Sequence, residues 1–347
     1  MNRSIHFFLF LALLGATACQ PPASSSQTDE PSAATTSPSE RMRIILDTDA
    51  NNELDDQHAI AYLLFNADVF ETEGVTVNRT RNGGMVDGHL AEAERVIRLC
   101  DQFGDFPLLA GANGSFEEIA PSLDQADFDG HEAVNFIIER AKAESDQPLI
   151  LVPIGKLTNI ALALAKAPEI IPNIRIVWLG SNYPEPGEYN QDNDTSAMSY
   201  LLNLELNSPL EMVTVRYGKP SGSDAVRATP DDIETRMAGA GPRVEPAVVG
   251  RHGNAHHHFG DYALRLFQEI ELHGDPPSRA LFDVVALAIL KHPDWGEKNI
   301  IPAPRLVENE WQEQPENPIS LLVWENFDSP AILEDFYQSM QPPSPAP

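Results

Sequence analysis

The chain has 347 residues, with 23 Lys and Arg against 52 Asp and Glu, a formal charge of −29. So acidic a balance excludes nucleic-acid backbone binding, which needs clustered cations to release counterions, and favours a neutral partner, a cationic one or a divalent cation. Hydrophobic residues make up 42% and charged residues 22%, so a sizeable core is available and disorder throughout is excluded.

Residues 1–19 start Met-Asn-Arg, run apolar from Ile5 to Leu14 and end Gly15-Ala16-Thr17-Ala18-Cys19. A positive start, an apolar stretch too short for a mature span and small residues before a cleavage point read as an export signal. Cys19 directly after small residues resembles the bacterial lipoprotein pattern, in which that cysteine carries the lipid; ordinary secretion with cleavage near Ala18 and an uncleaved anchor are the alternatives. The expectation is a protein exported and lipid-anchored to a bacterial membrane, held firmly only if several acyl chains are attached. Residues 20–40, rich in Pro, Ser, Ala and Thr, bury too little to offset their ordering entropy and read as a disordered tether, as does the tail 341–347. Residues 41–340 show no further linker and no repeat, and read as one domain. With only Cys19 and Cys100 in the chain, packing and not disulfides must hold it.

Within the domain, Arg43–Leu46 reads as a strand and Asp55–Asn66 as a helix, with apolar Ala59, Ile60, Leu63 and Leu64 at helical spacing. The alternation returns in Glu73–Val77 and Gly88–Phe103, in Pro148–Pro153 and Leu157–Ala167, in Ile174–Leu179 and Thr195–Leu202, and in Met212–Val215 and Pro230–Met237. Strands alternating with long helices predict a doubly wound α/β domain, its sheet mostly parallel with helices on both faces. Ligands of such sheets lie at the carboxyl ends of the strands. Chemistry is therefore expected after a strand and before a helix.

The stretch IILDTDANNELDD meets that condition, placing Asp47, Asp49, Glu53, Asp55 and Asp56 within ten residues. Carboxylates so close repel one another unless a cation neutralises them or several are protonated. Hard oxygen ligands suit Ca²⁺ or Mg²⁺, and no Cys or paired His stands nearby for zinc. Helix capping accounts for one or two of these acids but not for five.

Together with LVPIGKLTNIALAL at 151–164, GEYNQDND at 187–194 and LFDVVALAIL at 281–290, the acidic loop resembles, in order, the signature regions of the inosine-uridine preferring nucleoside hydrolases. The resemblance implies Ca²⁺-dependent cleavage of the N-glycosidic bond of a ribonucleoside. It carries the calcium ligands onto Asp49, Asp56, the backbone carbonyl of Thr158 and Asp283. Asp55 matches the acid that holds a ribose hydroxyl, and Asp49 also matches the base that takes a proton from the attacking water. Asn82 matches a ribose-contacting Asn, with Asn78 as its competitor, and Glu188 and Asn190 match a pair that binds sugar hydroxyls. Asn182 is placed by topology to line the pocket, whereas Asp194 is read as a helix cap. Relatives are often dimers or tetramers, so a homodimer or homotetramer is the expected assembly.

The chain departs from the family pattern twice. Between Asp49 and Asp55 it carries two extra residues, which makes Asn52 and Glu53 candidate ligands of sugar or metal. Phe282 stands where many members have a His that aids the leaving base; it is read as a surface that stacks on the base or as core. His252, His256, His257 and His258 precede a helix and are read as a zinc-binding tract, as a loop over the site or as solvated, and His131 opens a helix near where the family has a pocket His. Two rival functions remain: the same fold and metal acting on another N-ribosyl or glycosyl compound, or a non-catalytic sugar- or nucleoside-binding lipoprotein.

Overall fold

The computed structural model describes residues 41–341; the expected signal and tether, and the tail after Gln341, lie outside the described residues. Eight strands form one sheet: β1 (Met42–Thr48), β2 (Phe70–Val77), β3 (Leu108–Ala110), β4 (Leu149–Pro153), β5 (Ile174–Leu179), β6 (Leu210–Val213), β7 (Glu297–Pro302) and β8 (Ser320–Glu325). Their order across the sheet is β7-β8-β6-β5-β4-β1-β2-β3. Every pairing is parallel except that of β7 with β8.

The helices that cover this sheet and frame the site are α1 (Asp55–Phe65), α2 (Val86–Leu99), α3 (His131–Lys142), α4 (Thr158–Lys166), α5 (Tyr189–Asn193), α6 (Thr195–Leu202), α7 (Phe259–Glu269), α8 (Val284–Lys291) and α9 (Ser329–Ser339). Successive strand residues point to opposite faces. Ile44 and Leu46 of β1 accordingly join the layer made by α1, α2, α7, α8 and α9, and Ile45 joins the layer made by α3, α4 and α6. Both faces are dry, which is why the strands read as unbroken apolar runs and not as alternating ones.

Strand β1 pairs with β2 on one side and β4 on the other. The order of strand addition reverses there, so the loops leaving β1 and β4 diverge and open a crevice at their carboxyl ends. The predicted strand–helix pairs occupy their expected places with boundaries shifted by a few residues. Sequence reading missed β3, the short helix α5 and the β7–β8 pair. Strand β7 lies at the sheet edge and is mostly exposed, with charged Glu297 and Lys298 at its start, so it lacked the buried apolar run that marks the central strands.

Candidate active site

Strand β1 ends in two aspartates with different surroundings. The Asp47 carboxylate accepts from Thr76 Oγ1, Asn78 Nδ2 and Asn159 Nδ2, each at 2.6 Å. These donors come from β2, the residue after it and α4, so Asp47 ties three elements together and faces none of the crevice. Asp49 accepts from Thr80 Oγ1 at 2.6 Å, and its other oxygen faces Gly155 so closely that a Cβ there would stand 2.7 Å from it. Only glycine admits that approach.

Asp55 and Asp56 form the first turn of α1, and Asp283 sits at the N-cap of α8, yet neither Leu54 nor Asp283 makes a side-chain capping bond. The acids that a helix start favours are instead turned into the crevice. Asp55, Asp56 and Asp283 each bring a carboxylate oxygen to within 4.8 Å of the others. Asp49, Asp56 and Asp283 are 2% exposed and Asp55 8%. Asp56 is held in place by the Thr48 hydroxyl at 2.5 Å and the Asp49 amide at 3.2 Å.

Burial is the largest influence on all four and pushes them up, Asp49 to about 6 and Asp55 to about 7. Asp56 and Asp283 are also raised well above the usual carboxylate range, by burial first and then by repulsion from neighbouring carboxylates. The buried Lys156 ammonium offsets part of this at Asp49. A set of buried, mutually repelling oxygen donors of this kind fits a hard divalent cation, which would remove the repulsion and accept several carboxylate ligands at once.

The cluster forms the floor of a cavity of about 290 Å³. Glu188 and Asn190 form one wall. Glu188 N-caps α5, accepting from the amides of Asn190 at 3.0 Å, Gln191 at 2.9 Å and Ser181 at 2.8 Å, and burial raises it above the usual carboxylate range. Asn190 donates to the carbonyls of Ile154 at 2.9 Å and Leu179 at 3.1 Å, which locks the ends of β4 and β5 beside the cavity. Phe282 also lines the cavity, edge-on to Tyr217 with ring centroids 5.9 Å apart. Asn52 and Glu53 of the extended loop reach the cavity too, and Glu53 is ion-paired with Arg279 across the mouth.

Other expected residues lie elsewhere. Thr158 is not among the residues of the cavity wall, where Ile154 stands instead; its hydroxyl donates to Asp194 at 2.5 Å, and Asp194 in turn N-caps α6 as expected. Asn82 is exposed, and only its amide turns inward, donating to the Tyr189 hydroxyl at 3.1 Å. Asn182 spends its side chain on the Gly187 carbonyl and the Tyr217 amide, bracing the wall from behind. None of the histidine run lines the cavity: His257 and His258 turn to the carbonyls of Val244 and Gly241, His256 packs on Tyr262, and His252 lines a neighbouring surface groove with Asn52, Arg95 and Arg251. His131 folds back onto the Phe128 carbonyl. Tyr189, Tyr217, Arg227, His273 and Arg279 line the cavity and were missed. Tyr189 stood between two expected residues, so its neighbours were the available signal; Arg227 and Arg279 lie in a two-residue ribbon, His273 in an isolated bridge and Tyr217 in the loop after β6, none of which carries periodicity.

A doubly wound α/β domain with carboxylates gathered at its topological switch point is the class of protein that fold and site define. The sequence profile described as inosine-uridine preferring nucleoside hydrolase matches residues 44–317, and the chain belongs to that family. The chain is 31% identical over 189 residues to the non-specific ribonucleoside hydrolase RihC of Klebsiella pneumoniae, covering 48% of this chain and 59% of the relative. It is 31% identical over 169 residues to the pyrimidine-specific ribonucleoside hydrolase RihA of Shewanella baltica, covering 42% and 51%. The chain thus spans about half the length of the curated relatives it matches. Its fold is similar to that of the purine-preferring ribonucleoside hydrolase from Gardnerella vaginalis, with a TM-score of 0.62 at 20% identity, over 86% of this chain and 98% of that one.

Proposed function

We propose that the protein hydrolyses the N-glycosidic bond of a ribonucleoside, releasing base and ribose, with Ca²⁺ as its cation. The observation that carries this reading is the meeting of Asp283 with Asp49, Asp55 and Asp56 in one buried cluster, beside Glu188 and Asn190. Asp49, Asp56 and Asp283 would hold the ion, and Ile154 would offer the backbone carbonyl expected from Thr158. When bound, the ion supplies Lewis-acid chemistry, orienting a vicinal diol and making a water easier to deprotonate.

Asp49 then takes the proton of the attacking water, whose oxygen bonds to the anomeric carbon as the carbon–nitrogen bond breaks and the base leaves with the electron pair. General-base help of this kind is worth roughly 10²–10⁴ in rate. Positive charge grows on the ribose as the bond lengthens. Asp55 and Glu188 are held rigidly, so they oppose that charge without reorganising. The edge-to-face Tyr217–Phe282 pair offers an apolar surface to the base. A net acidic protein admits an uncharged nucleoside more readily than a nucleotide.

Ribose release from a panel of purine and pyrimidine nucleosides, measured before and after chelation and on restoring Ca²⁺, tests the proposal. Release that chelation stops and Ca²⁺ restores is the expected result. Saturable binding with no release would replace it with a binding protein, and release only from other N-ribosyl compounds would change the substrate. The lipoprotein-like segment 1–19 supports placing this activity outside the cytoplasm on a lipid tether.

A further inference from the structure

A line of hydrogen bonds runs from the loop after β2 into Asp49. The Asn82 amide donates to the Tyr189 hydroxyl at 3.1 Å, that hydroxyl donates to Thr80 Oγ1 at 3.2 Å, and Thr80 Oγ1 donates to Asp49 Oδ2 at 2.6 Å. The polarity is fixed from both ends, since an amide only donates and a carboxylate only accepts. Each hydroxyl therefore has one direction left for its proton, and every proton in the line points toward Asp49. Bonds aligned in this way polarise and strengthen one another.

Thr80 is 2% exposed, so its bond to Asp49 is shielded from water. Asp49 Oδ2 is thereby occupied by a donor, while Oδ1 faces the gap that Gly155 leaves open, with the Asn52 side chain as a further donor to this carboxylate. Tyr189 joins this line to the cavity, because it belongs to the wall and carries the Arg81 guanidinium on its ring at 4.3 Å. The loop that was expected to contribute an asparagine side chain to the sugar contributes a backbone amide to this line instead.

We infer that Thr80 and Tyr189 are positioning residues for Asp49, fixing which carboxylate oxygen stays free to meet cation and water. The inference rests on the role proposed above for Asp49. A partner of this kind, one bond removed from a ligand, typically governs 10–100-fold in metal affinity or activity.

The test uses the full chain and its Thr80→Val, Thr80→Ser and Tyr189→Phe variants, titrated calorimetrically with Ca²⁺ alone and assayed on the best nucleoside at saturating Ca²⁺. Thr80→Val keeps the shape and deletes the hydroxyl; it should weaken Ca²⁺ binding about tenfold and lower kcat about 10–100-fold, with KM moving less than about threefold. Thr80→Ser should restore both, and Tyr189→Phe should cost about 3–10-fold in kcat. Parental Ca²⁺ affinity and kcat in Thr80→Val, or no recovery in Thr80→Ser, would overturn the inference. Should Thr80→Val not fold, parental values in Tyr189→Phe overturn it instead. A parent that releases no ribose defeats the proposed function, and the Ca²⁺ titrations then still decide whether Thr80 positions Asp49.

Discussion

Asp47 and Asp49 leave the same strand two residues apart, both buried, and they serve opposite purposes. Asp47 is surrounded by three side-chain donors from neighbouring elements, so its charge is spent on joining β1, β2 and α4. Asp49 lies beside three more carboxylates, and its charge raises the cost of ionising each of them. Both aspartates are pushed up to about 6 by burial, so the proton alone does not tell them apart. Their settings do: Asp47 spends its oxygens on donors from three elements, while Asp49 lines a cavity beside carboxylates that a cation would draw together.

Exchanging single atoms on each side sharpens this contrast. Asp49→Asn should lower ribose release by about 10²–10⁴-fold and leave the fold intact, as seen in turnover and circular dichroism; turnover close to the parent would remove Asp49 from its role. Asp47→Ala should do the reverse, costing about 3 kcal/mol or more by leaving buried donors unsatisfied, measured by denaturant unfolding. Asp283→Asn should abolish Ca²⁺ binding yet raise the stability of the chelated protein, as read by denaturant unfolding, because one repelling charge is gone.

A pH series on the chelated protein probes the same repulsion. Asp49 and Asp55 rise to about 6 and about 7, so between about pH 4 and pH 7 the folded state binds more protons than the unfolded state, and stability must fall as pH rises through that window. Saturating Ca²⁺ should flatten this slope, and a slope unchanged by Ca²⁺ would place the ion elsewhere. The smallest effect is expected at the mouth. Glu53→Gln breaks a partly exposed ion pair with Arg279, 35% and 12% exposed; it should change stability by about 0–1 kcal/mol and show mainly in KM.

Much of this was legible in the chain. The strand–loop–helix around Asp49 announced itself because apolar period and acid density change at the same residues, and Asp283 and Glu188 were found through runs that resemble a known family. What escaped was side-chain direction. Asn82 and Asn182 lie in the right loops, but their partners Tyr189 and Tyr217 decide which part of each residue faces inward. Phe282 could be read as wall or core, and only its setting against Tyr217 placed it in the wall. The acidic loop held two further surprises, since Asp47 and Glu53 are matched by donors and by Arg279, leaving fewer free charges than its composition suggested.

The acids that close the cluster lie near opposite ends of the domain's sequence, Asp49 on the first strand and Asp283 after most of the sheet is complete. A ribosome therefore delivers the first carboxylates long before the last. Partial translation products that end before Asp283 lack one of the proposed ligands however well their early strands have assembled. Ion capture in this molecule would serve as a late checkpoint, marking chains that have been made whole.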